Sequence, residues 1–133
     1  MDAVETLKTY YEVLASKNWE VGADSYDVPS KKITLAGVVN FGSRDAVKTV
    51  FGDVIQTWEQ QGISSKIGFD LEEFSIIDFQ ENCVVIRNQL TNFNLKGDFH
   101  KNWDCTYVLI KTDGKCKISV ATTNNKATTS VRN

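Results

Sequence analysis

The feature that most constrains this chain is a change in its hydrophobic period near residue 63. Before that point apolar residues recur at helical spacing, and after it the sequence has neither a helical period nor a proline. Four strand-like runs follow, at 66–80, 83–94, 101–112 and 115–124, with short turns between them. Because the helices come first and no strand–helix–strand unit recurs, the sequence predicts an α+β fold.

The first half of the chain predicts three helices that cover one face of the sheet. One amphipathic helix spans 2–17, with Asp2 as its candidate cap, and a short helix spans 19–25. The third helix begins after Ser43, a residue type favoured at N-caps, and ends at Gly62.

A short N-terminal strand is predicted over 32–38, where Ile33 and Leu35 alternate with Thr34. The four later strands form an antiparallel meander, and long strands in such a meander twist and coil. We therefore expect a curved four-stranded sheet plus this short strand. One domain spans 1–124, and the polar end at 125–133 is expected to be a flexible tail.

The last hairpin is marked by Asp113 and Gly114, a strong two-residue turn signal. The register that follows pairs Leu109 with Ile118, Tyr107 with Val120, Cys105 with Thr122 and Trp103 with Asn124. These bulky residues share one face, which we expect beneath the helices. Val108 and Ile110 lie on the opposite face, where apolar residues favour a covering partner, so a homodimer through the outer sheet face is expected.

Charge and composition exclude several classes of partner. The net charge is -2 and basic residues are scattered, which argues against nucleic acid. The longest strictly apolar runs have about four residues against the ~20 of a membrane helix, so no membrane partner is expected. No metal site or cofactor is expected either, because there is a single histidine and no glycine-rich phosphate loop.

The three cysteines and the start of the chain indicate a compartment. Cys83, Cys105 and Cys116 are an odd number without metal-type spacing, which favours free thiols in a reducing cytoplasm. The acidic start has no basic segment followed by an apolar one, so no secretory signal is expected. Cytoplasmic localisation is the resulting prediction.

The order of elements resembles the nuclear-transport-factor-2-like superfamily, which includes SnoaL-like cyclases, ketosteroid isomerase and scytalone dehydratase. Residues 42–47, Gly-Ser-Arg-Asp-Ala-Val, resemble the family's entry into its third helix, and 106–118 resemble its last hairpin. The resemblance covers 1–124. It implies a cystatin-like cone with a pocket at its open end, and often a homodimer formed through the sheet.

The resemblance also tests one chemistry. Tyr10 matches the tyrosine that stabilises the oxyanion in ketosteroid isomerase, and Asp104 lies one residue from the position of that enzyme's protonated acid. The catalytic base would fall near Thr34, and no acidic residue stands there. Ketosteroid isomerase activity is therefore not expected. His100 lies beside a turn, where a solvated histidine is the simpler interpretation.

The leading hypothesis is a domain that binds a small, largely apolar molecule in the cone. Its candidate ligand-binding residues are Tyr10, Trp19, Tyr26, Arg87, Trp103, Tyr107 and Asn124. For Arg87 a cross-strand ion pair with Glu73 is the alternative to anion binding. Two other functions stay open: a SnoaL-like isomerase, dehydratase or cyclase that uses Tyr10 with Asp104, and a non-catalytic dimerisation or protein-interaction module.

Overall fold

The computed structural model describes residues 2–125 and confirms the predicted α+β class, with three helices on one side of a curved, open sheet. The elements in order are α1 (Ala3–Ser16), α2 (Trp19–Asp24), β1 (Tyr26–Thr34), β2 (Gly37–Phe41), α3 (Arg44–Gln60), β3 (Ile63–Phe69), a 3-10 turn (Leu71–Glu73), β4 (Ser75–Phe79), β5 (Cys83–Asn94), β6 (Phe99–Thr112) and β7 (Lys115–Asn125). The predicted tail, 125–133, lies outside the described residues except for Asn125, the last residue of β7.

The helices begin where capping side chains satisfy free backbone N–H groups. The Asp2 carboxylate accepts a hydrogen bond from the Glu5 amide at 2.7 Å, and the Ser43 hydroxyl accepts one from the Ala46 amide at 3.1 Å. Both predicted caps are therefore confirmed. These caps fix where α1 and α3 start, and hence which of their residues face the sheet.

The strands follow the order β2-β1-β7-β6-β5-β3, with β4 also paired to β5. The β1–β7 pair is parallel and the other neighbours are antiparallel. The strand predicted over 32–38 is in fact part of a hairpin, in which β1 turns at Leu35 and Ala36 into β2. The run predicted over 66–80 is likewise two strands, separated by the 3-10 turn.

One extra residue in β7 corrects the predicted register of the last hairpin. Leu109 pairs with Ile118 as predicted, but the register then shifts by one, which leaves Ser119 without a paired partner. Beyond this bulge Tyr107 pairs with Ala121, Cys105 with Thr123 and Trp103 with Asn125. The predicted partners Val120, Thr122 and Asn124 are therefore wrong and lie on the opposite face, because a one-residue shift reverses every side chain.

The core lies between the helices and the predicted inner face of the sheet. Leu109 and Ile118 are fully buried, and Tyr107 retains only 3% of its exposure. An aromatic cluster extends this core from α1 to β2 through edge and tilted contacts at ring-centroid distances of 5.3–5.9 Å; its members are Tyr10, Tyr26, Phe41 and Phe51. The cluster fills one end of the space under the helices and leaves the other end hollow.

Candidate ligand-binding cavity

A hollow of about 360 Å³ lies between the helices and the inner face of the sheet. Small-molecule sites commonly begin at about 300 Å³, so the volume suits a compact organic molecule. Its walls consist of Tyr10, Tyr11 and Leu14 of α1, Phe51, Val54, Ile55 and Trp58 of α3, Lys32, Thr34, Leu35 and Ala36 of the first hairpin, Ile67, Leu90 and Asn92, then Lys101, Trp103 and Tyr107 of β6, and Thr123 of β7. The wall is largely apolar, with a few polar groups.

Tyr10 contributes a hydroxyl to this wall that is held by a second tyrosine outside it. The Tyr26 hydroxyl donates a hydrogen bond to the Tyr10 hydroxyl at 3.3 Å, and both side chains are almost fully buried. Burial raises the pKa of both phenols well above the ordinary value, so both stay protonated at neutral pH. Tyr10 therefore keeps a proton that it can donate to a molecule in the cavity.

Tyr11 occupies the next position of α1 and is held by an amide from β5. The Asn88 Nδ2 atom donates to the Tyr11 hydroxyl at 3.4 Å, and Asn88 retains 1% of its exposure. Its Oδ1 atom is buried without a partner among the described residues. Burial also raises the pKa of Tyr11, which keeps this second phenol neutral.

The charged side chains that line the cavity are two lysines, Lys32 and Lys101. The Lys32 ammonium lies 4.8 Å from the ring centroid of Phe51, and the Lys101 ammonium lies 4.6 Å from that of Trp103. Lys32 is half-buried, and desolvation lowers its pKa from the ordinary value. Within the described part of the chain, no aspartate or glutamate lines the cavity.

Two further polar groups, the Trp103 indole N–H and the Cys105 thiol, lie on the sheet side of the cavity. The Trp103 indole Nε1 donates to the Asn92 Oδ1 atom, which orients the indole against the cavity wall. Cys105 is buried beneath the wall, and burial raises the pKa of its thiol to about 11. A thiol with such a pKa is protonated at neutral pH, so Cys105 is a poor nucleophile.

Solved structures with this arrangement of helices and sheet come from several bacteria. An NTF2-like protein with a cystatin-like fold from Novosphingobium aromaticivorans aligns with a TM-score of 0.74 at 11% identity, over 95% of this chain and 80% of that one. An NTF2-like protein of unknown function from Shewanella oneidensis gives 0.71 at 15% identity, over 92% and 95%. A ketosteroid isomerase-like protein from Erwinia carotovora atroseptica gives 0.69 at 10% identity, over 92% of each chain.

The fold is nuclear-transport-factor-2-like. The suspected resemblance is thereby confirmed for the fold. No protein-family model and no curated protein sequence matches the chain. At identities of 10–15% the likeness establishes architecture alone, so function has to be argued from the site.

The nuclear-transport-factor-2-like sheet brings three of the predicted ligand-binding residues to the cavity and places the others elsewhere. Tyr10, Trp103 and Tyr107 line it. Tyr26 lies behind Tyr10, and Trp19 packs between α2 and α3 against Gly52. Whether any of these residues binds a ligand stays a prediction.

Arg87, Asp104 and Asn124 lie on the outer face of the sheet, away from the cavity. The Arg87 Nη2 atom is 3.7 Å from the Asp104 Oδ2 atom, and the Arg87 side chain is 55% exposed. The ion pair expected for Arg87 thus forms with Asp104 rather than with Glu73. His100 is exposed near the turn before β6, as its solvated interpretation requires.

Sequence reasoning missed Lys32, Trp58 and Thr123 as cavity residues. Trp58 lies on the apolar face of α3, where a core position is the simpler expectation for a tryptophan. Thr123 reaches the cavity only because of the bulge in β7. Nothing in the sequence indicated that Lys32 lines the cavity, because the prediction for that short strand rested on its apolar residues.

Neither a metal-ligand cluster nor a membrane-spanning helix is present among the described residues. Between residues 2 and 125, no cluster of three or more His, Cys, Asp or Glu side chains is placed to hold a metal ion. Over the same span, none of the helices combines the length and the apolar character that crossing a membrane requires.

Proposed function

We propose that this nuclear-transport-factor-2-like domain binds a small, largely apolar molecule in the cavity between α1, α3 and the inner sheet face. The observation that carries the proposal is the hollow of about 360 Å³. Concave, mostly apolar pockets of this volume are the usual form of a small-molecule site. Aromatic walls with a few inward polar groups are the usual composition of a ligand site.

Blocking the mouth of the cavity tests the proposal. Ala36 is exposed at the β1–β2 turn and also lines the cavity, so Ala36→Trp fills the entrance without disturbing the core. Ala15 is exposed on α1 and does not line the cavity, so Ala15→Trp is the matched control. A screen of small organic molecules by thermal shift should find ligands that stabilise the wild type and Ala15→Trp but not Ala36→Trp. Equal stabilisation of all three proteins would refute cavity binding.

An enzymatic function of the SnoaL-like type is the second proposal, and Tyr10 is the observation that favours it. A protonated phenol on the wall of a largely apolar cavity can stabilise a developing oxyanion. Asp104 lies on the other face of the sheet, and the described cavity wall contains no carboxylate to act as a base. Isomerisation or dehydration would then need a base other than an aspartate or glutamate, which is why we rank binding above catalysis. A Tyr10→Phe variant that keeps full turnover of any substrate found would refute the role of this phenol.

We also propose a homodimer formed through the outer face of the sheet. Val85, Val108 and Val120 form a continuous row across β5, β6 and β7, and each is half-buried rather than covered. A second copy of the sheet would cover this apolar row. Light scattering should give the mass of a dimer for the wild type and of a monomer for Val108→Asp; a monomeric wild type would rule the dimer out.

A reducing cytoplasm is the location that we propose for the chain. Cys83, Cys105 and Cys116 are free thiols, and disulfides are rare in that compartment. Fractionation of cells that produce the natural protein should recover it with the soluble cytoplasmic fraction, and recovery from a secreted fraction would contradict the proposal.

A further inference from the structure

The charged groups on the cavity wall are all positive. Its wall carries the ammonium groups of Lys32 and Lys101, and none of its described residues is an aspartate or glutamate. Both ammonium groups lie over aromatic rings rather than beside carboxylates. A hollow whose fixed charges are all positive favours a negatively charged occupant.

Lys32 is the more constrained of the two charges. It lies on the inner side of β1, where its neighbours across the sheet are Val39 of β2 and Ala121 of β7, both apolar. No carboxylate of the described residues forms a salt bridge with it. Moving an ammonium group even partly out of water without a paired anion is costly, so a half-buried lysine with no ion-pair partner among residues 2–125 favours an anionic ligand.

Two threonines, Thr34 and Thr123, lie on the same side of the sheet as Lys32 and line the same cavity. Thr34 follows Lys32 by two residues on the same side of β1 and pairs with Thr123 of β7. The Thr34 hydroxyl is engaged with its own turn, where it accepts from the Ala36 amide at 3.2 Å. Within residues 2–125 the Thr123 hydroxyl accepts a hydrogen bond from the Cys105 thiol at 4.0 Å, and so it keeps its own proton to donate.

We propose that the ligand of this cavity is an apolar carboxylic acid whose carboxylate pairs with Lys32 and accepts a hydrogen bond from Thr123. The inference rests on the proposed function, since it names the class of molecule that the cavity takes. The Lys32 ammonium and the Thr123 hydroxyl can together engage the two oxygens of a carboxylate, and its negative charge matches a wall that also carries Lys101. The apolar part of the acid lies against Leu14, Phe51 and Trp58 on the helix side.

The experiment compares acids with their own primary amides, which have nearly the same shape but no charge. The probes are 2-naphthoate, 4-phenylbutyrate and decanoate, each with its amide, and affinities are measured by titration calorimetry. For at least one pair the wild type should bind the acid about 10-fold or more tightly than the amide, the ratio expected of a charge-assisted contact. Lys32→Met should reduce this ratio to about 1 by weakening the acid alone.

Lys31 supplies the matched control, because it precedes Lys32 on the same strand but is exposed on the opposite face. Lys31→Met makes the same change in net charge and should keep the preference for the acid. Lys32→Arg retains the charge and should keep most of it. Thr123→Val should weaken the acid by several-fold, about the effect of one hydrogen bond, and leave the amide unchanged.

Three outcomes overturn the inference in distinguishable ways. Equal affinity for acid and amide, with both lost in Ala36→Trp, means that the cavity binds ligands but not as anions. A preference for the acid that survives Lys32→Met means that another group carries the recognition. If none of the acids or amides binds the wild type, the inference and the proposed function fail together for these probes.

Discussion

Replacing Lys32 with methionine should stabilise the empty protein, which is the reverse of what a buried salt bridge would show. Methionine is similar in length and removes a charge that no described carboxylate balances. Substitutions that relieve strain built into a functional site commonly gain about 0.5–2 kcal/mol. The loss of the ammonium contact with the Phe51 ring, 4.8 Å away, offsets about 0.5–1 kcal/mol of that gain.

The net expectation for Lys32→Met is a gain of about 0.5 kcal/mol in the free energy of unfolding at neutral pH, or about 2 °C in Tm. Urea denaturation of the ligand-free protein measures it, with Lys31→Met as the exposed control, expected to stay near the wild type. A Lys32→Met variant that is less stable than Lys31→Met would refute the idea that the lysine is held at a cost to the fold.

The pH dependence of the stability of the wild type and of Lys32→Met provides a second test. Burial lowers the pKa of Lys32 in the folded protein below its ordinary value of 10.5. Between the lowered and the ordinary pKa the unfolded chain binds more protons, so the wild type should gain stability as the pH rises through that window. The advantage of Lys32→Met over wild type should therefore shrink toward pH 10.5. A difference that stays constant up to that pH would mean that the lysine is not desolvated.

Two further predictions concern the surroundings of the site. Tyr11→Phe removes the partner of the Asn88 amide, whose Oδ1 atom is already unpaired, and should cost about 1–3 kcal/mol in urea denaturation; an unchanged unfolding midpoint would refute the hydrogen bond. Hydrogen bonds from Lys48 and then Arg44 lower the pKa of the exposed Glu20 carboxyl to about 2. Its stabilisation is present above the ordinary value of 4.5 and lost as the pH falls toward 2, so Glu20→Gln should lose less stability than wild type in that interval. Molar salt should reduce this difference, because the carboxylate is exposed.

Much of the fold could be predicted because its signals are local. Asp2 and Ser43 mark helix starts through hydrogen bonds to amides three residues away. The turn at Asp113 and Gly114 sets the register of the adjoining strand residues in the same local way. Tyr10 lines the cavity, and the direction in which it faces from α1 depends on helical spacing, which tolerates errors at the ends of the element.

The sheet side of the cavity was harder to predict, because successive side chains of a strand point to opposite faces of the sheet. The bulge at Ser119 sends Thr123 into the cavity and Asn124 to the outer face, although the hairpin turn itself was correctly identified. Nothing in the local sequence announces this extra residue. Its position is set by how β7 bends between β6 and the parallel β1, which is a contact between distant parts of the chain.

The first hairpin shows why the most informative residue of the cavity was the least visible. In the predicted strand over 32–38, Ile33 and Leu35 supply the apolar pattern, and hydrophobic alternation would direct them inward. Ile33 is instead 38% exposed, and Leu35 lies 75% exposed in the turn that follows β1, while Lys32 lines the cavity. A strand that exposes an isoleucine and turns a lysine toward the cavity departs from the alternation that folds the rest of this sheet. Such local contradictions concentrate at functional sites, where binding rather than stability selects the residue. The inward position of Lys32 therefore agrees with the proposed charged ligand, because a strand that served only the fold would turn Ile33 inward.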